Sequence, residues 1–369
     1  MIKIAVRFLL KLFYLFKVDS KKIFFLSFDG SSYGYDSKAL VEYINEYERG
    51  NWKMVWGCRT LRRFKGLNIQ DLDFVKKYSL KGIYHIMTAG TVFYNINPPS
   101  YFPYRKTQLL INTWHGYPFK KVGRYIGEKN KWQVNLTCYY LSHSAWFTHN
   151  VLRDSFLYDN SILSCGVPRN DVFFSTKVNK VSSIVKSKLN IHDEYKIALF
   201  APTFRYDFSF KESGMDFVRL KNSLTRKFGG KWMVLFRLHP MIASRYKVAY
   251  PDVMDVSLFS DMQDLLCATD VLISDYSGGM WDFSQTRKPV FVFAPDLSEY
   301  EKSRGLYDGF KNLPFGLAQD MDELEDNILS FDKAYYDKKI EEYFQSVGSY
   351  EMGNACRNVV NLIKEWHGF

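Results

Sequence analysis

The sequence predicts an α/β protein built from two doubly wound parallel-sheet domains, on three observations. Its 369 residues exceed one ordinary core and suit two domains of roughly 150–200 residues each. Short apolar runs alternate with helical stretches in both halves, the pattern of strands joined by crossover helices. Most of those runs end in a polar, turn-rich loop, and ligands of open parallel sheets gather beyond the strand carboxyl ends. A content of 47% hydrophobic and 24% charged residues belongs to a folded chain and excludes a disordered one. The net charge of +11 asks for an anionic partner: nucleic acid, anionic lipid or a phosphorylated small molecule. Five cysteines, odd in number and without a C-x-x-C, signal neither a disulfide framework nor a zinc site and suit a reducing cytoplasm.

Residues 1–17 place Lys3, Arg7 and Lys11 at i, i+4 and i+8, opposite Leu9, Leu12, Phe13 and Phe16. This predicts a basic amphipathic helix, occupying 1–20, that lies on an anionic membrane surface; docking on its own domain is the alternative. It is too short and interrupted to span a bilayer and lacks a signal-peptide cleavage site. Strands are then expected at 22–28, 53–58, 72–75, 91–95 and 108–113, with a helix over about 37–48. The first strand runs into Asp29-Gly30-Ser31-Ser32-Tyr33-Gly34, and the last delivers Asn112-Thr113-Trp114-His115-Gly116-Tyr117-Pro118. An imidazole at a strand exit is a candidate general base, and Lys120, Lys121 and Arg124 beside it suit a phosphate-bearing substrate. A buried histidine in a turn with surface lysines is the plain alternative for these residues taken alone. His143 and His149, six apart, do not share a helical face and make no metal pair. Gly166-Val167-Pro168-Arg169-Asn170-Asp171 forms a rigid turn presenting an arginine and an aspartate. Neither G-x-G-x-x-G nor a P-loop occurs.

A polar stretch over 178–190 sets the domain boundary near 177, giving domains 21–177 and 178–369. Strands at 196–200, 233–236, 271–273 and 290–293 lead to Thr203 and Arg205, to Arg237 and His239, to Ser274-Asp275-Tyr276-Ser277-Gly278-Gly279, and to Asp296. Two serines, two glycines and free amides at a helix start could cradle phosphate, with Asp275 on a ribose or substrate hydroxyl; a capped helix entry is the plain alternative. His239 offers a second imidazole. Residues 304–316 are polar and turn-rich, and 322–369 look helical, able to pack the chain end back on the body.

Taken in order, FFLSFDGSSYGYDSKAL, NTWHGYPFKKVG, GVPRND, APTFR, RLHP, ISDYSGGMWDF, KPVFVF and RGLYD resemble the CDP-glycerol glycerophosphotransferase family of teichoic acid synthesis, over residues 24–308. The resemblance implies a GT-B fold, two Rossmann-like domains facing a central cleft, an acceptor domain first and a CDP-polyol donor domain second. It implies transfer of glycerol phosphate or ribitol phosphate from a CDP-activated donor to a hydroxyl of an undecaprenyl-diphosphate-linked saccharide, with release of CMP, at the cytoplasmic face of a bacterial membrane. His115 then matches the base, and His239 a pyrophosphate donor that stabilises developing charge. Ser274, Asp275, Ser277 and Gly278 would hold the donor, with Trp114, Gly116, Lys120, Arg169, Thr203, Arg205, Arg237 and Arg304 supporting. No cofactor is implied beyond Mg²⁺ carried with the phosphates. The chain departs from the family pattern at Gly278, often a serine, and at Pro314-Phe315-Gly316, a proline-glycine-proline turn elsewhere.

A GT-B glycosyltransferase using a nucleotide sugar is the rival reading, weakened because no glutamate occurs between Glu212 and Glu299 to hold a ribose. A scaffold without chemistry, or an RNA-binding protein, would not call for histidines at strand ends, and no aromatic RNA-binding signature is present.

Overall fold

The computed structural model describes residues 2–99, 101–127, 138–203, 214–238, 253–307 and 310–369. They form two parallel-sheet α/β units, as the sequence predicts. The first sheet comprises β1 (Asp19–Phe25), β2 (Lys53–Cys58), β3 (Leu72–Lys76), β4 (Ala89–Tyr94), β5 (Leu109–Asn112), β6 (Cys138–Ser142) and β7 (Ile162–Ser164), in the order β3-β2-β1-β4-β5-β6-β7. The second comprises β8 (Tyr195–Ala201), β9 (Lys231–Phe236), β10 (Val253–Asp255), β11 (Val271–Ser274), β12 (Val290–Phe293) and β13 (Gly316–Ala318), in the order β10-β9-β8-β11-β12-β13. Every pairing is parallel. Strand order therefore reverses between β1 and β4 in one sheet and between β8 and β11 in the other, and those switch points are where a doubly wound sheet opens a crevice for ligands.

The central strands LLIN, VLIS and VFVF are buried at every position, because crossover helices cover both sheet faces. In the first unit Ile23, Phe25, Trp56, Phe93 and Ile111 pack with Leu40, Val41 and Ile44 of the helix Tyr35–Tyr47. In the second, Phe200, Val234, Phe236 and Ile273 meet Leu220 and Leu224 of the helix Phe217–Phe228 and Leu324 and Ile328 of Met321–Leu329.

The division at 177 needs correction. One unit consists of residues 1–115, 127–171 and 349–369, the other of 116–126 and 172–348. The polar stretch read as a boundary is largely the helix Lys177–Lys188 of the second unit. The helix Ala355–His367 belongs to the first unit because Val359, Val360 and Ile363 complete its core. Asp171 fixes that helix by accepting from the amides of Ala355 (3.0 Å) and Cys356 (2.8 Å). Glu351 accepts from Asn170 Nδ2 (3.0 Å) and the Val167 amide (3.3 Å). Gly166 takes φ +80°, a left-handed conformation that favours glycine, and a Cβ there would lie 3.1 Å from the Tyr350 carbonyl oxygen.

The amino-terminal segment is also part of the first unit, not a separate element. It is helical over Ile2–Leu10 and tightens to a 3₁₀ helix over Lys11–Leu15, so Lys11 falls outside the α-helix that carries Lys3 and Arg7. Arg105 anchors it by donating to the carbonyls of Phe13 (2.5 Å) and Phe16 (2.7 Å), and the Tyr14 hydroxyl donates to Pro103 O (2.6 Å). Its apolar side chains are nonetheless open, Phe8 at 73% and Leu15 at 87%. Among the described residues no helix is long and apolar enough to cross a membrane.

His143, at the end of β6, is buried against the Phe147 ring. Burial first, and the Arg169 charge second, hold its imidazole well below the ordinary value. The unfolded chain takes up this proton near pH 6.5 and the folded chain does not, so the stability tied to His143 is complete above that pH and falls below it. Burial lowers His85 and His367 in the same direction. Denaturant midpoints should therefore drop as pH falls below about 6.5, at most roughly 1.4 kcal/mol per pH unit per histidine, and His143→Phe should flatten that slope.

Candidate active site

In the first unit the carboxyl ends of β1, β4 and β5 hold the histidine. The Asn112 side chain accepts from the Trp114 amide (2.9 Å) and donates to Ile96 O (3.3 Å), closing a turn in which Trp114 takes φ +56°. That region is unfavourable for a bulky residue and persists only where surroundings enforce it. Here the indole is buried against Phe156, with ring centroids 4.9 Å apart, and contacts the His115 ring at 4.1 Å. Trp114 is thus largely internal, and the next residue, His115, is exposed. His115 Nδ1 lies 2.9 Å from the Asn95 carbonyl oxygen. A carbonyl only accepts, so Nδ1 carries the hydrogen and Nε2 of the neutral ring carries the basic lone pair. Asn95 is buried, and its Oδ1 accepts from the Phe28 amide (2.8 Å), tying the loop after β1 to the end of β4 across the switch point. The Phe28 ring stands edge-on to His115 at 6.0 Å.

In the second unit the switch point is held by a carboxylate. Asp275 accepts from the Thr203 amide (2.8 and 3.1 Å) and from its neighbour Tyr276 N (2.6 Å), and Ser274 Oγ donates to Ala201 O (2.6 Å). Asp275 and Ser274 are 2% and 1% exposed, so these two, expected to touch donor, instead join the loops after β8 and β11. The half-buried turn Ser277-Gly278-Gly279 is the open part of that loop, and Ser277 Oγ accepts from the Gly279 amide (3.2 Å). A Cβ on Gly278 would lie 2.6 Å from Tyr117 O and 2.8 Å from Tyr117 N, so close backbone approach explains a glycine where the family pattern often has serine. The Tyr117 ring stacks on Trp281 at 4.6 Å and 18°. The same segment pairs with residues 305–307: Lys121 N donates to Gly305 O (3.0 Å), Tyr307 N donates to Phe119 O (2.9 Å), and Lys120 forms a bridge with Leu306. Arg304 is exposed at the end of the helix Leu297–Arg304. Gly116 and Lys120 thus belong to the second unit while His115 ends a segment of the first.

Two arginines are corrected. Arg169, expected on substrate, is 2% exposed; its Nη1 reaches both oxygens of the fully buried Asp36 (3.0 and 3.2 Å), and its amide donates to the same carboxylate (3.1 Å). Arg237 is 8% exposed and donates to Val256 O (3.2 Å) and Phe259 O (2.8 Å), holding the chain after β10. Both are drawn inward because a buried arginine needs acceptors, and carboxylate or carbonyl oxygens supply them. His239 and Arg205 lie outside the described residues. Asn95 was missed as a site residue; it ends an apolar strand as Asn112 does, and that parallel was its signal.

Two Rossmann-ordered sheets with polar loops at both switch points form the architecture that GT-B-like group-transfer enzymes share, and comparison with known proteins specifies the function. A solved structure of the wall teichoic acid polymerase TagF, a histidine-to-asparagine variant soaked with CDPG, superposes with a TM-score of 0.83 at 26% identity over 99% of this chain and 94% of that one. The teichoic acid glycerol-phosphate transferase of Staphylococcus aureus is 28% identical over 92% of each chain. The teichoic acid glycerol-phosphate primase of Bacillus subtilis is 28% identical over 94% of this chain and 92% of its own. The poly(glycerol phosphate) polymerase of that organism is 25% identical, and the match spans 49% of its length. A model of the CDP-Glycerol:Poly(glycerophosphate) glycerophosphotransferase family matches residues 8–365, and the chain belongs to that family.

Arg169→Ala should cost about 3–5 kcal/mol in denaturant unfolding, because Asp36 is left charged and buried, whereas Asp36→Leu with Arg169→Met should recover much of the loss. Gly278→Ser should cost about 1–3 kcal/mol on the same measurement, since its Cβ must push the Tyr117 backbone away.

Proposed function

We propose that the protein transfers glycerol phosphate or ribitol phosphate from its CDP ester to a hydroxyl of an undecaprenyl-diphosphate-linked saccharide, in the synthesis of teichoic acid or a polyol-phosphate capsule. The acceptor oxygen attacks the phosphorus that bears the polyol, the anhydride bond to the other phosphorus breaks, and CMP departs with the bridging oxygen. The acceptor proton passes to Nε2 of His115. The observation that carries this assignment is the 2.9 Å contact between Nδ1 and the Asn95 carbonyl, which turns the basic nitrogen of an exposed ring away from the backbone. His239 donates to the donor pyrophosphate, offsetting charge that grows on the departing CMP. Ser277 and the amide of Gly278 bind phosphate oxygens; Arg205, Lys120 and Arg304 add positive charge. Asp275, Ser274 and Thr203 position that loop without touching donor, and Arg237 holds the chain after β10.

The first unit takes the acceptor and the second the CDP-polyol. The open apolar residues Ile4, Phe8, Leu9, Leu12 and Leu15, with Lys3 and Arg7, hold the enzyme on the cytoplasmic face of an anionic membrane where that acceptor resides.

Release of CMP from CDP-glycerol and from CDP-ribitol, each with a lipid-linked disaccharide, tests this reading. Acceptor-dependent release should be seen with one of the two and fall about 10²- to 10⁴-fold in His115→Ala, with the unfolding midpoint little changed. Release from neither, with a nucleotide sugar consumed instead, overturns it.

A further inference from the structure

The loops after β1, β2 and β3 meet at one buried lysine. Lys77 follows β3 directly and is 4% exposed, and its ammonium pairs with Asp29 from the loop after β1. Arg59, directly after β2, binds the same carboxylate oxygen through Nη2 (2.9 Å) and Nε (3.2 Å). The backbones interlock as well: Arg59 N donates to Gly30 O (2.7 Å) and Lys77 N donates to Cys58 O (2.9 Å). Gly30, at φ +80°, packs so closely that a Cβ would lie 2.6 Å from Gly57 O. One carboxylate thus faces two cations and leaves an excess positive charge at the carboxyl end of a parallel sheet, where ligands are taken. The Lys77 ammonium also lies over the Tyr78 ring at 4.2 Å.

The surroundings sharpen the choice of ligand. Arg62, Arg63 and Lys65 follow Arg59 within six residues, all exposed and without an acidic residue among them. Next to these cations stand apolar side chains open to solvent, Leu61 at 45%, Tyr78 at 49% and Leu80 at 79%. Surface arginines alone would suit any polyanion; cations grouped around a buried lysine, beside exposed leucines, suit an anion that carries a hydrocarbon chain.

We propose that Arg59, Arg62 and Arg63 bind the diphosphate of an isoprenoid-diphosphate acceptor, with the buried Lys77 fixing Asp29 beneath them, and that Leu61, Tyr78 and Leu80 contact the first units of its chain. The inference rests on the acceptor reading above and accounts for the loop over residues 29–34, whose aspartate holds both cations in place. The second unit's phosphate-binding loop remains reserved for the CDP-polyol.

The full chain serves for the test. Arg59→Gln, and separately Arg62→Gln with Arg63→Gln, should raise KM for a short-chain isoprenoid-diphosphate disaccharide at least about tenfold, leaving KM for the CDP-polyol and kcat within about twofold. Farnesyl diphosphate, followed by tryptophan fluorescence, should bind the native protein more tightly than inorganic pyrophosphate, farnesol or CDP, and both variants should lose that preference. Equal rises in both KM values, a fall in kcat alone, or farnesyl diphosphate binding that the variants leave intact would overturn the site. Pyrophosphate binding as well as farnesyl diphosphate would remove the lipid from it. Should Arg59→Gln fail to fold, the exposed double variant decides. Native protein that binds farnesyl diphosphate yet releases no CMP would sink the transferase reading and leave the site standing, whereas normal release with unaltered acceptor KM would do the reverse.

Discussion

The first unit depends on an ion pair taken wholly out of water. Asp36 near the start of the helix Tyr35–Tyr47 and Arg169 in the turn after β7 lie 133 residues apart in sequence and meet at 3.0 Å with almost no solvent. Two such charges cost several kcal/mol each to bury, and their attraction offsets that cost only when the geometry is good and further hydrogen bonds are made. The Arg169 amide supplies one of those bonds. The neighbours Asn170 and Asp171 then bind Glu351 and the start of the helix Ala355–His367. Seven residues beginning at Cys165 therefore connect a helix near the start of the chain to one near residue 360.

Each sheet handles its switch point with one short side chain. Asn95 binds the loop after β1 through its side chain and the His115 ring through its carbonyl. Asp275 binds the loop after β8 with both carboxylate oxygens. Loops carry unpaired amides where strands end, and a single acceptor placed between two strand ends satisfies them while fixing the spacing of the crevice. Pre-set positions of this kind are what a phosphoryl-transfer enzyme requires, because its rate comes mainly from positioning and charge.

Much of this was legible in the residues. The long buried strands showed as apolar runs, and the strand-to-loop rule led to His115 and to the Ser274–Gly279 loop. Strands β7, β10 and β13, three residues each, carry too little periodicity to be read, and β6 reads CYYLS, with two tyrosines where aliphatic residues would mark a strand. Arg169 and Arg237 misled for a common reason: sequence gives an arginine's charge, while its burial depends on Asp36 and on the carbonyls of Val256 and Phe259, far off along the chain. The discontinuous division was illegible for the same cause, since apolar residues of the helix Ala355–His367 fit either sheet until their partners are known.

That discontinuity bears on how the chain is made. The amides that Asp171 caps arrive 184 residues after it. At a synthesis rate of roughly 5–20 residues per second, the first sheet waits about 10–40 s for the helix that covers Leu40, Val41 and Ile44. The second unit, continuous from residue 172 to 348 apart from one short segment, has its own strands complete before that helix leaves the ribosome. The half translated first is thus the half finished last, and during that interval its apolar face is the surface a chaperone would meet.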